Sequence, residues 1–336
     1  MARLEKYKFY NDMNKIISFE YIRAIATIGI IMCHCCYGIE GLGFLGKFLG
    51  VTFNTIFLIM SAFLIGLVWK RKNYPKYNLS FLKTRIGKLT FSYYPFIIVM
   101  FIFLMWKGYN ITIKDLILQF TFLAWFDKIP GFGHLWFITM IVICYFAIYI
   151  TSKFSNRIVK KLQTVSAGGA LILLGLVSQI FLNHFGLPNR IIIYTLIYIY
   201  VFFNAETILK SIDKIPAKPL YICGSIVLFA IICLFYLGFR SNFTETIYCL
   251  ISSTVVFAIL KKIFNNTSSN SIITFISTIS FEIYLVHHVF CFGEYSVYKI
   301  IHNPILGTII IFAISFILAF ILNKTSMFLK NMLSKQ

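Results

Sequence analysis

Two ionisable side chains that a membrane helix normally avoids lie within the first long apolar run of the chain, which extends from Ile16 to Tyr37. Arg23 lies near the beginning of this run and His34 lies eleven positions later, near its end. On an α-helix that separation brings both side chains to within about 20° of one face, about 16 Å apart along the axis. Burying such groups in lipid is costly, so the pair predicts a polar, functional cavity inside a membrane protein.

The segment after the second apolar run is rich in cations, with seven lysines and arginines and no acid between residues 70 and 88. Arg85 and Lys88 are one helical turn apart where the next apolar run begins. Paired cations of this kind suit a ligand that carries several phosphates. The alternative is that the segment anchors the topology and attracts anionic lipid, at about 1 kcal/mol per basic residue. The residues alone leave both interpretations open.

A second polar stripe lies near the end of the chain. Ser280, Tyr284 and His287 fall on one helix face at spacing i, i+4, i+7, so that a hydroxyl, a phenol and an imidazole lie in line. The stripe contributes to a site, or it forms hydrogen-bonded packing between helices.

Two further positions accompany these groups. Glu20 precedes Arg23 by three residues and can pair with it on the adjoining helix face. Trp136, in the run His134-Leu-Trp-Phe137, lies at a helix start, where this pattern is typical of anchoring at the membrane interface.

The elements that must position these groups are membrane helices. The chain of 336 residues is 59% hydrophobic and 12% charged, with a mean hydropathy of +0.84, whereas soluble domains carry about 25% charged residues. A net charge of +20 would suggest a nucleic-acid partner for a soluble protein. Here, cations on cytoplasmic loops explain the charge, so no nucleic-acid partner is expected. We expect one membrane domain over residues 1–336, with core helices at 16–323 and short cytoplasmic tails.

Runs of about 17–25 mostly apolar residues predict an all-α integral membrane protein with about ten transmembrane helices. The span at 243–260 is weak because Thr, Ser and Glu residues dilute it. The predicted spans are 16–37, 44–69, 89–106, 134–151, 165–183, 190–209, 219–238, 243–260, 271–291 and 304–323.

The distribution of charge predicts the orientation of these helices. The two termini and the loops after even-numbered helices carry 23 of the 31 lysines and arginines, and Arg23 lies inside the first helix. The positive-inside rule therefore places both termini in the cytoplasm. The first apolar run is too long for a signal peptide and lacks a cleavage site, so we expect it to remain as the first helix. Arg23 then lies in its cytoplasmic third and His34 toward the opposite end.

The run Cys33-His34-Cys35-Cys36 has the composition of a metal cluster, but no Cys/His pair follows at zinc-site spacing. We interpret the cysteines as small, polarizable core residues and expect no metal.

These motifs together resemble the membrane-bound acyltransferase-3 family, which includes O-acetyltransferases of bacterial surface polysaccharides and related glycoconjugates. The similarity begins with an acid-x-x-Arg…His motif, here Glu20, Arg23 and His34, with ten residues between the last two. It continues through FNTIFLIMSAFLIG, Phe53 to Gly66, where the family has a phenylalanine-rich run ending in Ser-Gly-Phe.

Three later motifs extend the resemblance over nearly the whole chain. Arg85-x-x-Lys88 is similar to the family's Arg-x-x-Arg, residues 134–137 to its Leu-Trp-Phe helix opening, and residues 280–287 to its Ser-Tyr-x-x-Tyr-Leu-x-His motif. The departures are Ala62 in place of a glycine, Lys88 in place of the second arginine and Phe281 in place of a tyrosine. Lysine keeps the charge but loses the bidentate geometry of arginine toward phosphate.

The resemblance implies an acyl-CoA donor, most readily acetyl-CoA, as a co-substrate and not as a permanently bound cofactor. It implies a hydroxyl acceptor on a glycan or lipid-linked sugar, and a multi-pass location in the bacterial inner (plasma) membrane. The phosphates of CoA would lie against Arg85, Lys88 and Arg23, and the flexible arm would run along the first helix toward His34. That route is consistent with the spacing of about 16 Å between Arg23 and His34.

In this interpretation His34 is the catalytic residue. It would act as general base on the acceptor hydroxyl, or it would carry the acyl group covalently. Ser280, Tyr284 and His287 would orient His34 or the acceptor.

The rival interpretation is a carrier that exports a polysaccharide precursor or small solute without chemistry. Ten helices with a polar stripe suit a carrier. Against it are the scarcity of acids within the spans, namely Glu20, Glu206 and Glu282, and the lack of an obvious repeat between the two halves. A purely structural or sensory protein is disfavoured by the paired Arg23 and His34.

Overall fold

Long apolar stretches joined by short polar connections determine the architecture, which a computed structural model describes for residues 17–127, 129–186, 190–291, 293 and 295–333. Within these ranges every regular element is a helix. In chain order the α-helices are α1 (Ile17–Tyr37), α2 (Gly43–Arg71), α3 (Leu79–Trp106), α4 (Ile113–Phe120), α5 (Trp136–Thr151), α6 (Asn156–Leu162), α7 (Val165–His184), α8 (Ile191–Lys214), α9 (Ala217–Tyr236), α10 (Asn242–Ile263), α11 (Ser271–Thr278), α12 (Ser280–Val286), α13 (His288–Cys291) and α14 (Pro304–Leu333).

Nine of the described helices are long and apolar enough to cross a membrane: α1, α2, α3, α5 with the turn before it, α7, α8, α9, α10 and α14. This confirms the prediction of an all-α integral membrane protein, and the weak predicted span at 243–260 is one of the nine. Ile16 and the basic N-terminal segment lie outside the described residues. The cytoplasmic placement of both termini stays a prediction.

The predicted span at 271–291 is not one straight helix but three short ones, α11, α12 and α13. At the first break the hydroxyl of Thr278 donates to the carbonyl of Thr274 (2.7 Å), and back-bonding of this kind bends helices. At the second break Nδ1 of His287 contacts the carbonyls of Ile283 and Tyr284 (3.0 and 2.9 Å), which a regular helix pairs with backbone N–H groups. Each break therefore lies beside a side-chain hydrogen bond to a helix carbonyl, from Thr278 at the first and from His287 at the second.

Helix α3 begins ten residues before the predicted span at 89–106. Its cap is Asn78, whose side-chain oxygen accepts a hydrogen bond from the Ser80 N–H (3.1 Å). Its 28 residues extend about 42 Å, well beyond a hydrocarbon core of about 30 Å. Arg85 and Lys88 therefore lie inside a rigid helix and not in a loop.

Helix α1 lies between two groups of buried apolar side chains. One group joins it to α2, α5, α8 and α10 through residues such as Phe19 and Ile22. The other joins it to α3 and the broken segment through residues such as Ile30 and Ile31. Phe57 packs against both groups. The cavity described below opens along this seam.

Helix α2 packs closely on α8 because Gly66 has no side chain. A Cβ at this position would overlap the carbonyl oxygen of Phe202 and lie 3.0 Å from the Cβ of Ala205. The close contact matters for function because α2 also lines the cavity.

We expect Gly66→Ala to lower the melting temperature of the purified protein by several degrees, since overpacking against backbone typically costs about 1–3 kcal/mol. Gly87→Ala is the matched control, because a Cβ there meets nothing within 4 Å and alanine favours a helix by about 1 kcal/mol. Thermal unfolding in detergent measures both. Equal melting temperatures for the two variants would contradict the close α2–α8 packing.

Candidate active site

A cavity of about 370 Å³ opens between α1, α2, α3, α5 and the broken segment α11–α12. Its wall is apolar over much of its area, with polar groups from every one of these elements. These polar residues are Arg23, Asn54, Ser61, Arg85, Lys88, Tyr145, Ser277, Thr278, Ser280, Glu282 and Tyr284. We call it the main cavity.

Three cations line the main cavity: Arg23 from α1, and Arg85 and Lys88 from α3. Arg85 is half-buried and Lys88 is exposed, so the cavity reaches the surface at this end. Within the described parts of the chain, no carboxylate lies within 4.0 Å of any of the three. This excess of positive charge makes the mouth of the cavity suited to an anionic group.

Glu20 does not form the predicted ion pair with Arg23. Its Oε2 accepts a hydrogen bond from the hydroxyl of Thr274 (2.7 Å), and the residue does not line the main cavity. The spacing i, i+3 allowed the pair, but the packing of α11 on α1 supplied a nearer partner. Glu20 therefore ties the first helix to the broken segment.

Four of the six histidines of the chain gather at the inner side of the site: His34, His134, His287 and His288. The ring centre of His34 lies 5.0 Å from that of His287 and 4.8 Å from that of His288. The rings of His134 and His288 stack at 4.4 Å. We call these four residues the histidine cluster.

Backbone carbonyls fix which ring nitrogen carries a proton in three of the four histidines of the cluster. Nδ1 of His287 faces two carbonyl oxygens, Nδ1 of His288 faces that of Gly131 (2.9 Å) and Nε2 of His134 faces that of Leu285 (3.0 Å). A carbonyl oxygen only accepts, so each of these nitrogens donates. In the neutral ring the opposite nitrogen is then the acceptor, and Nε2 of His287 is buried with no hydrogen-bond partner among the described residues.

A narrow gap joins the main cavity to the histidine cluster. The gap is too narrow for a water molecule, and its walls are Thr27, Ile30, Ile31, Phe57, Ser280, Ile283, Tyr284 and His287. Ser280 and Tyr284 line both the gap and the main cavity. The phenol of Tyr284 donates to the backbone carbonyl of His134, which holds its ring at this junction.

The structure thus brings together most of the residues that the sequence singles out. Five of them line the main cavity, namely Arg23, Arg85, Lys88, Ser280 and Tyr284. Two of them, His34 and His287, belong to the histidine cluster. The eleven-residue spacing on α1 therefore connects the mouth of one cavity with the residues at its inner end.

Trp136 lies outside the main cavity. Its ring packs on Trp125 (5.1 Å between ring centres) and on Tyr194 of α8 (6.3 Å). The neighbouring Phe137 lines the cavity instead. Trp136 therefore supports the site through packing.

Sequence reasoning missed three residues that the structure places in the site. His134 has only 3% of its surface exposed and belongs to the histidine cluster. It is therefore buried in the site and does not act as an anchor at the membrane interface. His288 directly follows His287, and Glu282 lines the main cavity. The sequence feature that could have identified these three residues is that each is a polar residue within or beside an apolar run.

The histidine cluster is not arranged as a metal site. Among the described residues, no three His, Cys, Asp or Glu side chains converge in a way that could hold a metal ion.

A family model described as an acyltransferase domain, that of acyltransferase family 3, matches residues 16–324. No curated protein and no solved structure matches the chain.

Proposed function

Because the chain belongs to the acyltransferase-3 family, whose model covers residues 16–324, we propose that it is an O-acyltransferase that uses acyl-CoA. In this proposal the acyl group is acetyl, and the acceptor is a hydroxyl of a cell-surface polysaccharide or lipid-linked glycan. The family, together with the nine apolar helices found among the described residues, makes the chain a multi-pass membrane acyltransferase. The donor, the acceptor and a bacterial inner-membrane location belong to the proposal.

One observation supports the proposal above the others. A single cavity is cationic at its mouth, through Arg85, Lys88 and Arg23, and narrows at its inner end toward His287 beside His34. CoA has the matching polarity, with phosphates at one end and a thioester at the end of a flexible arm. The phosphates would bind the cations by charge-assisted hydrogen bonds, which are stronger than neutral ones.

The flexible arm of CoA must span the distance between Arg23 and His34 along α1. Eleven residues at 1.5 Å each separate Arg23 from His34 by about 16 Å along the axis. A donor held at the mouth therefore places its thioester near the histidine cluster. The gap beyond Tyr284 must widen to admit the arm, since it is too narrow for water in this structure.

The chemistry at His34 follows from the needs of acyl transfer. As the acceptor oxygen attacks the thioester carbonyl, a neutral imidazole takes the hydroxyl proton and returns it to the departing thiolate sulfur. In the covalent alternative the imidazole first displaces the thiol and then loses the acyl group to the hydroxyl. Mixing the protein with labelled acetyl-CoA without acceptor, followed by rapid quenching, distinguishes the routes because only the covalent one labels the protein.

In this proposal Nε2 of His287, whose ring lies 5.0 Å from that of His34, assists the same reaction. Its lone pair is oriented by the two backbone carbonyls at Nδ1 and lies at the gap. It is placed to accept a hydrogen bond from the acceptor hydroxyl or from an N–H of His34. In this role His287 orients a reactant and is not the base.

The test uses isolated membranes that contain the chain, supplied with acetyl-CoA labelled in the acetyl group. We expect base-labile label in the glycan fraction, because an ester of a hydroxyl is cleaved by mild alkali. Membranes without the chain are the control. Unlabelled glycan that nevertheless depends on the chain for export would contradict the proposal and indicate the carrier.

A further inference from the structure

Glu282 is a buried acid in the wall of the main cavity, with only 5% of its surface exposed. Its Oε1 accepts hydrogen bonds from the hydroxyl of Ser92 on α3 (2.7 Å) and from the side-chain amide of Asn323 on α14 (3.2 Å). The carboxylate therefore joins three helices through one of its two oxygens.

The other oxygen of Glu282 has no partner in the described part of the protein. Oε2 is buried without a hydrogen bond, and none of the cations Arg23, Arg85 and Lys88 lies within 4.0 Å of the carboxylate. A buried carboxylate oxygen left unpaired is costly, so a donor from a ligand would be favourable here.

The depth of Glu282 places it between the cations and the histidine cluster. Its partner Ser92 follows Lys88 by four residues on α3, which is about 6 Å farther along the helix. His287 follows Glu282 by five residues along the broken segment, or about 7.5 Å at a helical rise. The carboxylate thus faces the middle of the route from the mouth to His34.

The sign of its charge determines what Glu282 can bind. A carboxylate repels phosphate, so this position is not part of a phosphate subsite. It accepts hydrogen bonds only, so its partner must carry an N–H or O–H group. The arm of CoA between the phosphates and the sulfur carries two amide N–H groups and a hydroxyl.

We propose that Oε2 of Glu282 binds the uncharged arm of the donor by accepting a hydrogen bond from an amide N–H or hydroxyl of that arm. This inference rests on the proposed function, since it assumes a CoA donor. Glu282 then holds the middle of the arm while Arg85 and Lys88 hold the phosphates. The two subsites together set the position of the thioester.

The test compares two probes on the full-length protein in lipid nanodiscs: CoA, which has the arm, and adenosine 3′,5′-bisphosphate, which has phosphates but no arm. Glu282→Gln keeps the shape of the side chain and retains one oxygen that accepts the hydrogen bonds from Ser92 and Asn323. We expect it to weaken CoA binding by about tenfold or more, as for loss of a hydrogen bond to a charged group. Binding of the bisphosphate should not weaken, because the carboxylate repels phosphate, and this binding also shows that the variant is folded.

Asn323→Ala is the matched control, because it removes a bond to Oε1 and leaves Oε2 in place. We expect it to change the affinity for CoA less than threefold. Equal weakening of CoA binding by both variants would overturn the inference and assign Glu282 a structural role. Glu282→Gln with the wild-type affinity for CoA, or with equally weakened affinity for both probes, would overturn it as well.

The same titrations separate failure of the inference from failure of the proposed function. If the wild-type protein binds neither probe, the CoA donor assignment is wrong and the inference falls with it. If the wild-type protein binds both probes and Glu282→Gln binds each of them with the same affinity as the wild type, only the inference is wrong.

Discussion

Replacing His34 by alanine is expected to reduce acyl transfer to the glycan by about 10²–10⁴-fold, the usual contribution of a positioned acid–base group. The covalent route would give at least as large a loss, because the acyl carrier itself would be missing. The imidazole packs against His287 and His288, away from Arg85 and Lys88, so we expect the variant to keep the mouth of the cavity. The rate of base-labile labelling in membranes, normalised to the amount of protein, measures the effect.

His184→Ala is the matched control for this variant. His184 is the last residue of α7, is exposed and lies away from the main cavity. The His184→Ala variant should retain the wild-type rate of glycan labelling. A His34→Ala protein that is inserted, abundant and fully active would exclude His34 from the chemistry.

Replacing Arg85 by alanine is expected to raise the KM for acetyl-CoA by about 10–100-fold, since a charge-assisted hydrogen bond contributes about 1.5–3 kcal/mol. The value of kcat should change much less, because the phosphates are distant from the reacting bond and bind equally in the ground and transition states. The KM for the glycan should also stay near its wild-type value. Steady-state rates with each substrate varied in turn measure these constants.

Lys83→Ala is the control for charge alone. Lys83 lies two residues before Arg85 on the same helix, is exposed and does not line the main cavity. It removes one positive charge from the same surface and should leave the KM for acetyl-CoA nearly unchanged. Equal increases in the KM for donor and for glycan in Arg85→Ala would contradict the donor subsite.

The helices were largely predictable because a bilayer imposes a length and a composition on each span. The predicted segments at 44–69 and 165–183 match α2 and α7 to within two residues. The start of α3 lies outside the predicted span because polar residues interrupt the apolar ones between Leu79 and Lys88 and lower the hydropathy of the segment, although the segment is helical. The breaks in the segment 271–291 depend on side-chain hydrogen bonds, which an apolar run does not reveal.

The features of the site that lie on one helix were predictable from the sequence. The features that depend on how several helices pack together were not. The position of Arg23 and His34 on one face of α1 is a matter of spacing alone. That His34 meets His288, and that Glu20 bonds Thr274 and not Arg23, depends on how α11 to α13 pack against α1. Residues that are far apart in the chain create these contacts, and a single sequence does not specify them.

In the proposed function, a donor bound at the Arg85 end of the cavity places its thioester beside His34 for transfer to the glycan. The most direct test supplies labelled acetyl-CoA, which does not cross a bilayer, to inside-out and right-side-out membrane vesicles that contain the glycan. We expect base-labile label in the glycan of inside-out vesicles only, and none there with His34→Ala. Labelling from the opposite face, or equal labelling with His34→Ala, would contradict the account.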